Sequence, residues 1–263
     1  MSINLIKSIS KELNLMQYNQ LSVLEINHPK VKAKIALQGA QLLSWQPYNT
    51  AHDVLWLSEI EPFQKEVAIR GGVPICHPWF GTVKVPAHGT SRIQEWCLTE
   101  YSVASDSVSL VFTLAGEAKI EMILGEICEL NFTHLGKEPA QAALHTYFNI
   151  ADIEQLEVNG LPTRCFDKLT NQEVSVPSPR IIRENVDCLY AAEPINRIQD
   201  MGHNRTIVVE HINATETVLW NPWHKQTNGM SEHAYRNMVC VETARLSRLL
   251  EQNGTMGVRI SVR

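Results

Sequence analysis

Apolar side chains recur at every second position along much of this chain, and that spacing commits it to β-structure. Val108, Leu110, Phe112 and Leu114 fall on one face of segment 107–114, and Ile120, Met122 and Leu124 continue the pattern. A strand turns successive side chains to opposite faces, whereas a helix gathers positions three and four apart. Val31, Ala33, Ile35 and Leu37 alternate with Lys32, Lys34 and Ala36, and Gln38-Gly39-Ala40 then turns the chain into Gln41 to Trp45. Strands are also expected at Val54–Leu57, Trp96–Tyr101, Ile127–Phe132, Ala142–Phe148, Leu156–Val158, Thr206–Glu210, Thr217–Trp220, Met238–Glu242 and Val258–Val262. Asn159-Gly160 is a turn dipeptide. Residues 170–180, with Pro177 and Pro179, read as loop, and Ala244 to Gln252 is the best helix candidate. Many strands, little helix and no Gly/Ser- or Pro-rich linker predict one all-β sandwich domain over residues 1–263.

The net charge is −5, and no run of five or more Lys/Arg occurs. That argues against nucleic acid or an anionic membrane as partner. No apolar run approaches the roughly 18 residues of a membrane helix. Six cysteines lack any Cys-x-x-Cys pair, and Met1 to Lys7 lacks the basic start and apolar run of a secretory leader. A reduced, cytoplasmic setting is expected. Oligomeric state is left between monomer and weak homo-oligomer.

The stretch Arg70-Gly71-Gly72-Val73-Pro74 to Pro78-Trp79-Phe80-Gly81, with His88-Gly89-Thr90-Ser91-Arg92, is the least ordinary part of the chain. Its prolines stiffen a loop that carries arginines and aromatic rings. Guanidinium binds oxyanions as a fixed fork, and aromatic faces cover apolar sugar faces, so an anionic ring-shaped ligand suits it. A structural corner whose arginines pair with the protein's own carboxylates is the alternative.

His145 and Glu242 are the ionisable residues set deepest in apolar β-type sequence. A buried imidazole and a buried carboxylate can be tuned to donate and accept protons. They could equally be a satisfied core histidine and the partner of a structural arginine. His77, His88 and His145 could supply a metal site, but no His-x-His, His-x-x-x-His or Cys-x-x-Cys spacing anchors two ligands on one element. Dinucleotide and phosphate glycine loops are absent, as is Gly-x-Ser-x-Gly. Trp220-Asn221-Pro222-Trp223 reads as an aromatic turn that either lies against a sugar or caps the sandwich, and Asp187 alone reads as a surface aspartate.

Taken together, these segments resemble the hexose-6-phosphate mutarotases (glucose-6-phosphate 1-epimerases) of the aldose 1-epimerase superfamily. The matching pieces are Arg70–Pro74, Pro78–Gly81, His88–Arg92, Leu144–Phe148, Val186-Asp187, Trp220–Trp223 and Val239–Glu242, in the family's order. The resemblance implies a galactose-mutarotase-like β-sandwich with its site on one concave sheet. It implies interconversion of the anomers of an aldohexose 6-phosphate, without a cofactor, and a small sugar phosphate as partner. His145 matches the family's general acid and Glu242 its general base. Arg70 and Arg92 match arginines that hold the phosphate, Asp187 matches a substrate-binding aspartate, and His88 is expected in the same site. Three positions depart from the pattern. Ala87 replaces a frequent Gln, Cys188 replaces an Arg and leaves Asp187 without that cation, and His77 stands where an aromatic or apolar residue is usual. A non-catalytic carbohydrate-binding protein on the same fold is the rival reading.

Overall fold

The computed structural model describes residues 1–263 as three antiparallel sheets, with short 3-10 turns as the only helical pieces. The first sheet is a meander of Ile3–Ser8, Leu13–Tyr18, Leu21–His28, Val31–Ala36 and Gln41–Pro47. The second orders its eight strands as Leu156–Asn159, Ile195–Asp200, Arg205–Ile212, Thr255–Val262, Cys128–His134, Ala118–Leu124, Val108–Leu114 and Cys97–Val103. The third runs Gln172–Ser175, Arg164–Asp167, Val186–Ala191, Glu216–Asn221, Met238–Leu250, Ala140–Leu144 and Ile75–Cys76, with Tyr147–Asn149 also paired to Met238–Leu250. No helix is long and apolar enough to cross a membrane.

The alternation in sequence becomes burial in the second sheet. In Val108–Leu114, Ala118–Leu124 and Cys128–His134 every other residue is buried, and Phe112 and Phe132 are wholly so. Each such side chain contributes about 1.5–3 kcal/mol of hydrophobic stabilisation. These residues join Val239, Val241 and Leu219 of the third sheet and Ile35 and Trp45 of the meander in one cluster of 49 buried residues, so all three sheets share a core.

The structure departs from the sequence reading in four places. Ala244–Gln252 is not a helix, because Met238–Leu250 is one long strand to its end. Ala244 pairs with Glu216, Arg245 with Ala142 and Leu250 with Ala140. Tertiary pairing on both sides overrides the helix propensity of Ala, Arg and Leu. Residues 170–180 are not wholly loop, since Gln172–Ser175 is an edge strand. Val54–Leu57 makes only isolated bridges, Leu55 to Phe148 and Leu57 to Gly71. The strand expected over Ala142–Phe148 breaks at His145-Thr146: His145 N–H still donates to Pro74 O in register with Leu144 opposite Ile75, but Pro74 has no N–H to return the bond.

Candidate active site

The third sheet builds the site by register. Leu144 lies opposite Thr243 and Tyr147 opposite Cys240, so His145 faces Glu242 from the neighbouring strand. Along the next row, Tyr147, Cys240, Trp220 and Asp187 stand side by side across four strands. The first seven residues of Met238–Leu250 are all buried. Val239 and Val241 enter the shared core, while Met238, Cys240 and Glu242 turn to the opposite face.

Loops fold over that face. Tyr147 N–H donates to Gly72 O and His145 N–H to Pro74 O, which draws the Arg70–Pro74 loop onto the histidine. Gly72 has φ +62°, and a Cβ there would sit 2.1 Å from Leu42 O. No other residue fits so close an approach. Gly89 is the same case, its missing Cβ falling 2.0 Å from His77 O.

The resulting cavity has a volume of about 550 Å³, and Arg70, His88, His145, Lys168, Asp187 and Glu242 all line it. His145 Nε2 lies 3.3 Å from Glu242 Oε1, with the two residues 7% and 1% exposed. Tyr147 stacks flat on the His145 ring, at 4.8 Å between centroids and 9° between planes. Burial pushes the Glu242 carboxyl well above the usual range, with Lys168 pulling it back and Asp187 adding to the rise. Burial, reinforced by His88, Arg70 and Arg92, holds His145 well below the ordinary histidine value. Both groups therefore favour their neutral forms. A protonated Glu242 beside a neutral His145 carries the same mobile proton as a carboxylate beside an imidazolium.

His88 is pushed down to about 3, by burial first and then by Arg92, Lys168 and Arg70. Its Nδ1 lies 3.4 Å from Cys76 Sγ and accepts from Gly81 N–H at 3.4 Å. The neutral ring therefore carries its proton on Nε2. His88 packs edge-on to His145, with centroids 5.5 Å apart.

Arg70 is fixed by Nε–H donating to Asn228 O at 3.1 Å and Nη1–H to Tyr147 Oη at 2.9 Å. Arg92 is not among the side chains lining the cavity. Its Nη2–H donates to Ala87 O at 2.8 Å, and its charge reaches His88 and His145 only through space.

Asp187 is not the solitary surface aspartate that its segment suggests. Lys168 Nζ–H donates to both carboxylate oxygens, at 2.9 and 3.1 Å, and Lys168 N–H donates to Asp187 O. The cation missing at Cys188 is thus supplied from the turn after Arg164–Asp167, while Cys188 itself points into the core. Nothing near Lys168 in sequence marks it. The one signal was an aspartate expected to have a cationic neighbour and lacking one. Lys225 also lines the cavity and was missed.

Trp220 lines the cavity, whereas Trp223, at φ +51°, turns away and packs on Tyr235 and His224 beside a smaller neighbouring cavity. Asn221 fixes this divergence by donating to Tyr235 O and Met238 O and accepting from Trp223 N–H. His77 is not in the site, so the set His77, His88 and His145 does not form. Its Nε2 lies 2.9 Å from His134 Nδ1, and its Nδ1 lies 2.8 Å from Ser91 Oγ.

Residues 22–263 match the family profile described as aldose 1-epimerase. A Haemophilus influenzae protein named "Putative glucose-6-phosphate 1-epimerase" is 51% identical over 270 residues, covering 100% of both chains. The crystal structure of HI1317 superposes with a TM-score of 0.99 at 54% identity, covering 100% of both chains. That of YeaD from Salmonella typhimurium, described with the same reserve as a mutarotase, gives 0.94 at 32% identity and covers 99% of this chain and 96% of its own. The sandwich expected from the sequence is thus the mutarotase fold, and this chain belongs to the aldose 1-epimerase family.

Proposed function

We propose that this protein interconverts the α and β anomers of an aldohexose 6-phosphate, glucose 6-phosphate first among them, by acid–base ring opening and reclosure. The observation that carries this reading is the 3.3 Å separation of His145 Nε2 and Glu242 Oε1 in a cavity that also holds Arg70, Lys168 and Lys225. The anomeric hydroxyl and the ring oxygen of a sugar are bonded to the same carbon. An acid and a base this close can serve both at once. The names carried by the relatives support the same substrate class.

In the mechanism, the Glu242 proton passes to His145, leaving a carboxylate base and an imidazolium acid. Glu242 takes the proton of the anomeric hydroxyl while His145 protonates the ring oxygen, and the C1–O5 bond breaks to give the open aldehyde. Rotation about C1–C2 presents the other carbonyl face, and reclosure returns both protons. No electrons leave and no group is transferred, so the reaction as written calls for no cofactor. His88, neutral with its proton on Nε2, donates to a sugar oxygen. Asp187 accepts from sugar hydroxyls, Arg70 holds the phosphate, and Arg92 acts on the site through its field and through the turn at Ala87. The charged clamp keeps the open chain in place so that rotation and reclosure stay within the cavity.

The reading takes residues 1–263 as one unit, which the shared core supports. It places the protein in the cytoplasm, which fits six free thiols, and as a monomer or weak homo-oligomer. The test is NMR magnetisation exchange between the anomers of glucose 6-phosphate, with glucose and galactose as controls and the spontaneous rate subtracted. Acceleration for the phosphate ester is expected. No acceleration with any sugar would overturn the assignment in favour of a non-catalytic sugar-binding protein.

A further inference from the structure

We infer that the concave face also binds a thiophilic divalent cation, zinc above all, through His145 Nε2, Cys240 Sγ and a Glu242 carboxylate oxygen, and that the ion blocks proton transfer there. The inhibitory part rests on the function proposed above, whereas the binding part stands alone.

The three ligand atoms lie within 4.8 Å of one another. Two of them, at 3.3 Å, already have the spacing that tetrahedral zinc requires, since ligands at about 2.0–2.1 Å stand roughly 3.4 Å apart. Cys240 precedes Glu242 by two positions on one strand, so both side chains rise from the same face. The thiol therefore needs to close by only about an ångström, within reach of a small side-chain rotation.

The donor set decides the metal. Thiolate with imidazole selects zinc or cadmium over magnesium and calcium, which prefer all-oxygen sites. A fourth position faces the sugar cavity, which His145 and Glu242 line, and the ion enters that way. Glu242 Oε2 and His145 Nδ1 are buried without a hydrogen-bond partner from the protein, so only the Nε2–Oε1 contact has to open as the pair turns toward an ion.

Charge balances as well. Zinc displaces one proton from the Cys240 thiol and one from the Glu242 carboxyl, and both pass to solvent. The dication with a thiolate and a carboxylate then adds no net charge to a buried site. Arg70, Arg92 and Lys168 oppose a cation in this neighbourhood, and Asp187 favours it. Their excess of positive charge makes the ion removable, so it acts as an inhibitor that competes with sugar phosphate.

The test uses full-length protein stripped with a chelator, then titrated with zinc chloride during anomer exchange and with cadmium while the ultraviolet thiolate-to-metal band is recorded. Wild type is compared with Cys240→Ala, Cys240→Ser and Cys128→Ala, the last removing a buried thiol in the second sheet, outside the set. Wild type and Cys128→Ala should show the band and lose activity reversibly. Both Cys240 variants should lack the band and tolerate zinc at a concentration higher by at least the ~10–100-fold that losing even an outer-shell partner costs. A Cys240 variant as zinc-sensitive as wild type, or no cadmium band in wild type, overturns the inference. Metal-free wild type without mutarotase activity would instead sink the proposed function, and the cadmium band would still decide the metal site.

Discussion

The two eight-stranded sheets of this protein use the same backbone pairing for opposite ends. The sheet containing Val108–Leu114 and Cys128–His134 buries every second side chain, and Phe112 and Phe132 anchor the core. The sheet containing Met238–Leu250 is buried on both faces for its first seven residues, and one face carries Glu242. Burial that stabilises Phe112 unsettles Glu242, because a low-polarity surrounding favours apolar groups and disfavours charge. On the proposed reading, the second sheet supplies stability and the third spends some of it on proton chemistry.

The largest effect should come from Glu242→Gln, which preserves shape and removes the exchangeable proton. The anomer-exchange rate should fall by about 10²–10⁴-fold, with no loss of melting temperature, since the carboxyl's Oε2 has no protein partner to lose. Phe112→Ala makes the converse cut. It should cost about 3–5 kcal/mol in a denaturant titration, while turnover per folded molecule stays unchanged. A Glu242→Gln variant as destabilised as Phe112→Ala would erase the contrast between the sheets.

The clamp gives a smaller effect. Arg70→Met removes charged hydrogen bonds of about 1.5–3 kcal/mol, and steady-state kinetics should show KM for the sugar phosphate rising by roughly 10–100-fold at similar kcat. Arg92→Met should raise KM less, because Arg92 does not line the cavity. Equal effects would put both arginines on the phosphate.

The last effect is absent at neutral pH and lies where the sheets are tied together. His211, pushed down to about 4 by burial, reaches from the second sheet to Thr243 Oγ1 on the strand of Glu242, at 2.7 Å. His77, pushed down to about 3 by burial and then by His134, links Ile75–Cys76 to the end of Cys128–His134. A folded-state value below the unfolded one means that the unfolded chain binds more protons in the window between them. The stability these neutral rings contribute is complete above about 6.5 and declines as pH falls toward 3–4, at up to ~1.4 kcal/mol per pH unit for each. His211→Gln should flatten the slope of denaturation free energy between pH 6.5 and 4. An unchanged slope would show that the ring is charged in the folded protein.

The regular sheet was legible in sequence because one face meets the core and the other meets water, so alternation survives in Val108 to Leu124. His145 and Glu242 stood out as ionisable groups in apolar segments, a pattern that a structural histidine and carboxylate would share, and only the resemblance to the mutarotases paired them. The end of Met238–Leu250 was not legible, since Arg245 to Leu249 have a helix-former's composition and only the pairing of Arg245 and Leu250 with Ala142 and Ala140, beyond Ala244 opposite Glu216, makes that end a strand. Lys168 was hidden for a related reason. It meets Asp187 across a strand pair, and local sequence carries no trace of such a partner.

The opposition of His145 and Glu242 across adjacent strands also bears on how such a protein can change. The proton pair is held by the hydrogen-bond ladder, whereas Lys168, Lys225 and Arg70 stand on turns and loops. A one-residue insertion in Ala140–Leu144 would turn the histidine to the far face and abolish the chemistry at a stroke. Lengthening the turn that bears Lys168 would alter only what the cavity grips. On the proposed reading, specificity and reactivity sit on separately mutable parts. A lineage, or an engineer, can then exchange one sugar phosphate for another without reinventing the reaction.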